Sequence, residues 1–358
     1  MRTFLIWVTI AIILVLNYNI ERYVLEDIQI ITAIGYDYME DDTMRGTVAA
    51  PFYPQGQDVK PINASFTASG HTIHSIRQQF QREAQRKLAS GRLQSILVNK
   101  DLAERGVKKV VDSFGRTTFI GRDTKLAVVD GSTKKLLTSN YPNAQNLSRY
   151  LSDLLEESIV RMAPNTGLHS FLSQMEGFGQ DPFLPLLKRE HDHIHYVGLA
   201  LFKDEKYVDS LSFREGYIFK MLYENFKYGI YEIKYKDTYI SIENLRSKVK
   251  YNISGSSTRP VVTIHVSLEG KVQDAYGVPL HTQKRIRKVE VEWEKETLEK
   301  AEKLVRKLQD IGTDSLGIGE KVRSHFRHFN KSSWESLYPD VQVRIKIKTN
   351  IINTGIVE

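Results

Sequence analysis

VLEDIQIITAIGYDY, residues Val24 to Tyr38, starts as an alternation of apolar and polar positions and ends almost wholly apolar. A run of that kind is a strand buried on both faces, which in a folded domain means packed layers above and below it. Gly35 inside the run marks a bulge or a place where another segment comes very close. The strand is therefore the reference from which the remaining elements are placed.

Downstream, Glu40 to Pro61 carries an acidic cluster, Glu40-Asp41-Asp42, then Pro51, Pro54, Gly56 and Pro61, and reads as an irregular surface excursion with one short strand. Asn63 to Gly70 is β-compatible. Thr72 then caps a helix expected to run through Leu88, with Ile73, Ile76, Phe80, Ala84 and Leu88 on one face. A strand is expected over Arg92 to Asn99, followed by a helix that Asp101 caps and Gly106 interrupts. Leu126 to Val129 is a short buried strand, and Leu147, Leu151, Leu154, Leu155 and Ile159 give a helical stripe between Asn146 and Met162. Strands alternating with helices imply a layered α/β or α+β unit.

Ala163 to Gly167 breaks that helix, and GFGQDPFLP at Gly177 to Pro185, followed by KREHDH, reads as a connector. A second unit is expected from about His195. It opens with a hairpin, Val197 to Phe202 and Tyr207 to Leu211, and a helix capped by Ser212. Within the β-rich stretch Gly229 to Leu268, Val262, Ile264, Val266 and Leu268 alternate with polar residues as in a half-buried antiparallel strand. Glu292 to Ile311 returns to helical period until Gly312. Gly317-Ile318-Gly319-Glu320 restarts a short basic helix, and the final strand, Val341 to Lys348, has one apolar and one basic face.

Upstream, TFLIWVTIAIILVLNYNI at Thr3 to Ile20 carries no charge, and eleven of its residues are Leu, Ile, Val or Phe. As a helix it would span roughly 27 Å, near the roughly 30 Å hydrocarbon core of a bilayer. No A-x-A pattern follows it, so it reads as an uncleaved anchor, with a cleaved signal peptide and a peripheral apolar tail as the alternatives. Arg2 before it, and Glu21, Glu26 and Asp27 after it, favour the N-terminus inside and the body outside the cytoplasm.

The composition, 41% hydrophobic and 26% charged over 358 residues, is that of a folded ectodomain of two or three domains. With no cysteine there is no disulfide, no thiolate metal site and no thiol nucleophile. A net charge of +7 suits a body near an anionic membrane rather than a nucleic-acid binder, because 43 acidic residues are interleaved with 50 basic ones.

Motifs for chemistry are weak. His191, His193 and His195 alternate as metal ligands on a strand can, but they sit in the apparent linker. His71 and His74 lack a third ligand in sequence. Ser69-Gly70-His71 is not a nucleophile elbow, Gly317-Ile318-Gly319 lacks the further glycine and lysine of a phosphate loop, and Glu40 to Asp42 lack EF-hand spacing. Asn63, Asn146 and Asn252 head glycosylation-like triplets, to which no role is assigned. No catalytic, cofactor-binding or metal-binding residue is assigned.

Several stretches, in order, resemble one family. They are LEDIQIITAIGYD at Leu25 to Asp37, TASGHTI at Thr67 to Ile73, LQSILVNKDLAERGV at Leu93 to Val107 and GLALFKDEKYVDSLS at Gly198 to Ser212. DSLGIGEKVR at Asp314 to Arg323 comes next, then Trp334 and Pro339, and VRIKIKTNIINTG at Val343 to Gly355. These are similar to the C subunits of spore nutrient-germinant receptors, the Ger(x)C (GerAC-type) proteins of endospore-forming Firmicutes. Where the family typically has a lipobox cysteine this sequence has Asn19, so the resemblance implies a chain that is held by its own helix or released, and not one anchored by a lipid.

The resemblance further implies a non-enzymatic subunit on the outer side of the inner spore membrane. It would work by assembly with integral-membrane A and B subunits and with membrane lipid, with no nucleic acid, cofactor or assigned small-molecule ligand. The expected fold is α+β: a membrane segment at residues 1–20, an N-terminal α/β domain at 21–190 and a C-terminal α+β domain at 196–358, divisible near 290. An anchored extracytoplasmic hydrolase and a solute-binding module are the alternatives. The first would show convergent carboxylates, histidines or serine in a pocket, and the second a deep cleft between domains.

Overall fold

A computed structural model describes residues 1–4, 6–7, 28–52, 62–117, 120–121, 123–142, 144, 146–327 and 329–353. Most of the expected membrane segment lies outside the described residues. Among those described, no helix is long and apolar enough to cross a membrane.

The opening stretch forms β1 (Ile28–Ile30) and β2 (Ala33–Tyr38). All of β2 but its last residue is buried, as a two-sided strand must be. The anticipated close approach at Gly35 is real: a Cβ there would lie 2.6 Å from the side chain of Thr133. The segment after β2 is more regular than expected, because β3 (Met44–Phe52) is a nine-residue strand paired to β2. The acidic cluster supplies its hairpin turn, with Asp41 and Asp42 in the left-handed region that Asp tolerates.

Next come β4 (Ile62–Gly70) and α1 (Ile73–Glu83), whose Thr72 cap accepts from Ser75 N at 3.1 Å. Helix α1 stops five residues short of Leu88. The Gln81 side chain bonds Arg86 O and Leu88 N, turning the chain into β5 (Lys87–Ala89), which pairs with β1. Then come β6 (Ser95–Asn99), α2 (Lys100–Arg105) and α3 (Lys108–Gly115), the two helices separated at Gly106, whose φ is 120°. The cap of α2 is Asn99, not Asp101. Its Oδ1 accepts from Leu102 N at 3.0 Å and from Tyr38 N at 2.9 Å.

β7 (Lys125–Val129) leads to α4 (Thr133–Thr138), α5 (Leu147–Arg161) and α6 (Leu168–Glu176). Helix α5 matches its expected stripe, whereas α4 and α6 have no counterpart in the sequence reading. The supposed connector contains β8 (Phe183–Glu190), which turns into β9 (His193–Lys203) and β10 (Lys206–Ser212). These complete an eight-stranded sheet in the order β10-β9-β8-β7-β6-β2-β3-β4, parallel over β2, β6, β7 and β8 and antiparallel at both ends. One face buries Ile34, Ile96 and Val128 under α1 to α3 and α6. The other buries Leu97, Ala127 and Leu187 under α4 and α5.

The hairpin expected to open a second unit is thus the margin of the first sheet, and its apolar residues also reach a second core. There Phe183, Leu199, Leu201 and Leu211 meet α7 (Phe213–Tyr223). Ser212 and Glu215 close a reciprocal capping box on α7. A four-stranded sheet comes after it, with β11 (Ile230–Tyr235), β12 (Thr238–Ser256) and β13 (Arg259–Asp274) antiparallel and β14 (Gln342–Asn353) added parallel to β13. Between β13 and β14 run α8 (Gln283–Asp310), α9 (Ile318–His325) and α10 (Lys331–Leu337). Helix α8 begins nine residues before the expected start and buries Trp293, Ala301, Leu304 and Leu308 against the sheet's inner face. The result is a mixed α+β fold in which two sheets share core residues.

Candidate functional site

A buried polar cluster joins the loop before β8 to the segment that opens α9. Asp314 lies four residues before Ile318, so its carboxylate can cover the first amides of α9, where unpaired N–H groups and the helix dipole favour negative charge. Its Oδ1 accepts from Ile318 N at 2.8 Å. Its Oδ2 accepts from Gly319 N at 2.6 Å and from the Trp334 indole at 3.1 Å. Asp181 answers from the other side: its Oδ2 accepts from Asp314 N at 2.7 Å and from Lys203 Nζ at 3.1 Å, and its Oδ1 from Asp204 N at 3.2 Å.

The backbone completes the joint. Asp181 N donates to Asp314 O at 3.0 Å and Glu320 N to Gly179 O at 2.9 Å. Gly179 and Gly319 are needed for this approach. A Cβ on Gly179 would lie 2.5 Å from the Gly319 carbonyl carbon, and one on Gly319 would lie 2.3 Å from Trp334 Nε1. Tyr338 donates to Thr313 O at 2.9 Å. Three stretches that stand apart in the sequence, the GFGQDP connector before β8, DSLGIGE and the Trp334 segment, are therefore one structure.

Burial raises the Asp314 carboxyl to about 7, against the pull of the Gly319 and Ile318 amides, with the Asp181 charge adding to the rise. Burial likewise lowers Lys321, whose ammonium donates to Leu316 O at 2.9 Å. The void beside the carboxylates is about 50 Å³, room for water but not for a metabolite. Each carboxylate accepts three hydrogen bonds that tie chain segments together, so the cluster acts chemically as a clamp, in which Asp314 can take up a proton near neutral pH.

Two other buried charges do the same work. Asp37, in the first strand's motif, accepts from Thr133 N at 2.6 Å and Lys134 N at 3.1 Å at the start of α4, and from Arg45 Nη2 at 3.0 Å. Lys220 on α7 is 2% exposed and donates to Ile159 O, to Val160 O at 3.3 Å and to Ala163 O at 2.8 Å, capping the end of α5. Desolvation lowers its pKa, and Glu224 at 3.5 Å opposes that.

The residues weighed in the sequence are dispersed. His191 occupies the β8–β9 turn, and His193 and His195 are exposed on β9 with rings 6.3 Å apart. His71 and His74 are exposed at the start of α1. Among the described residues no three His, Cys, Asp or Glu gather as a metal-binding group. Ser69 lies in β4, and the Gly317–Gly319 amides face Asp314 in place of a phosphate. Asn63 lies in β4 opposite Pro51 of β3, Asn146 caps α5 and Asn252 faces His265 at 3.5 Å. An open cleft of about 1250 Å³ lies on the first sheet's side, where Lys108, Asp112, Arg116, His169, Glu176 and Lys206 mix both signs of charge.

A family model described as "Spore germination protein N-terminal domain" matches residues 21–189, and one described as "Spore germination B3/ GerAC like, C-terminal" matches residues 197–355. The spore germination protein GerQC of Bacillus cereus is 28% identical over 340 residues, which cover 94% of each chain. The crystal structure of the GerBC protein superposes with a TM-score of 0.63 over 89% of this chain and 97% of its own, at 18% identity, a likeness of fold. The two domain models follow one another in the order of the sequence and leave little of it unmatched: the chain belongs to the GerAC-like family of spore germination proteins, the C subunits of germinant receptors.

Proposed function

We propose that this chain works by contact and not by catalysis, as a membrane-anchored subunit that assembles with the integral-membrane A and B subunits of a nutrient-germinant receptor. The observation that carries the reading is the tandem match to both family domains across residues 21–189 and 197–355. The chemistry of the buried groups supports it. Asp37, Asp181, Asp314 and Lys220 all serve to fasten one segment to another, which suits a rigid adaptor whose outer surfaces meet partners. In this reading the apolar run Thr3 to Ile20 tethers the body to lipid on the outer side of the inner spore membrane.

Cross-linking in isolated spore membranes tests the assembly. An affinity-tagged chain should retrieve polytopic membrane proteins encoded beside it. Recovery of the chain alone, or in the soluble fraction, would contradict the proposal. The hydrolase and solute-binding readings make a different demand, namely turnover or saturable small-molecule binding that disappears when the residues of the open cleft are changed.

A further inference from the structure

The outer face of the β12–β13–β14 sheet is basic over its distal half. Strand register places Asn252, Thr263 and Arg344 in one row. Lys250, His265 and Lys346 form the next, then Lys248, Ser267 and Lys348, then Arg246, Glu269 and Asn350. Partners in register point to the same side of a sheet, and Val262, Ile264, Val266 and Leu268 between them point into the core. Lys248, Lys250, Arg344, Lys346 and Lys348 are exposed. The one carboxylate within these rows, Glu269, is paired with Arg246 at 3.5 Å. With strands about 4.8 Å apart and same-face residues about 6.8 Å apart, five cations occupy a plane of roughly 10 by 14 Å.

We propose that this face docks on the anionic headgroups of the membrane to which the chain is tethered, which rests on the reading of Thr3 to Ile20 as its anchor. Charge complementarity selects the occupant. The face is flat and offers flexible lysine heads interspersed with Asn, Thr and Ser. Apart from the His265 ring, these four rows carry none of the aromatic and apolar anchors that concentrate binding energy in protein interfaces, and no series of stacking rings of the kind that holds single-stranded nucleic acid. A planar array of mobile cations matches a planar array of phosphates. Each lysine brought to such a surface multiplies docking by about fivefold.

Because the chain has no cysteine, Ser267→Cys gives a unique labelling site at the centre of the face. The full chain carrying a nitroxide there is placed in nanodiscs of phosphatidylcholine alone or mixed equally with phosphatidylglycerol. The label should be shielded from a water-soluble relaxing agent only in the mixed discs. That shielding should fall more than tenfold in K248E/K250E/K346E/K348E, and in the milder set with Gln at the same positions, each confirmed as folded by its unfolding transition. It should also weaken with salt. Equal exposure in both discs, equal shielding in both, or indifference to the substitutions would overturn the proposal. So would shielding by soluble polyglutamate but not by anionic lipid, which would make the partner an acidic protein. A chain that binds mixed discs and ignores phosphatidylcholine discs would retire the anchor and keep the face, and one that binds neither would overturn both.

Discussion

Replacing Asp314 by Asn separates the two things this carboxyl does. Its folded value is about 7 against an ordinary 3.8, so between those limits the folded chain holds a proton that the unfolded chain has released. Stability from this group is therefore complete below about pH 4, is lost as pH rises to about 7, and is level above that. The slope is about 1.4 kcal/mol per pH unit, and the roughly three units sum to at most about 4 kcal/mol. Asn keeps the shape but cannot titrate, and its amide nitrogen cannot accept from whichever N–H it faces among Ile318, Gly319 and Trp334. That loss costs about 1–3 kcal/mol at every pH. Urea unfolding of the solubilised full chain from pH 4.5 to 8 should show the parent more stable at the acid end, with the advantage shrinking and reversing near neutrality. Parallel curves for parent and D314N would refute the reasoning. A parent that gained on the variant with rising pH would show that the three N–H donors outweigh burial.

The Gly179–Gly319 contact should be intolerant of a methyl group. G319A places one 2.3 Å from Trp334 Nε1 and should lower unfolding free energy by about 1–3 kcal/mol, while G91A, with nothing within 4 Å, should be near neutral in the same urea titration. K220M removes the ammonium from the Ile159, Val160 and Ala163 carbonyls. It should cost about 1–3 kcal/mol, with amide exchange accelerated over the last turn of α5 as the local readout.

Periodicity made the long elements legible. The alternation of Val262 to Leu268 in β13, the stripe of α5 and the Ser212 cap of α7 stand in the structure as they do in the sequence. Some shorter elements escaped. Helix α4 has six residues, too few for a stripe, and β8 hides behind Pro182, Pro185 and the charges of KREHDH although Phe183 to Leu187 are buried. Helix α1 ends early because one side chain, Gln81, redirects the chain, a tertiary choice that no window of periodicity contains. The clamp was half visible. DSLGIGE stood out by resemblance, but its partner Asp181 is 133 residues away in the stretch read as a connector, and only the fold brings the two carboxylates together.

Germination itself tests the central claim most directly. Spores lacking this chain should lose their response to at least one nutrient, and an unaltered copy supplied elsewhere in the genome should restore it. Spores that germinate normally with every nutrient tried, in a background freed of other receptors, would contradict the account.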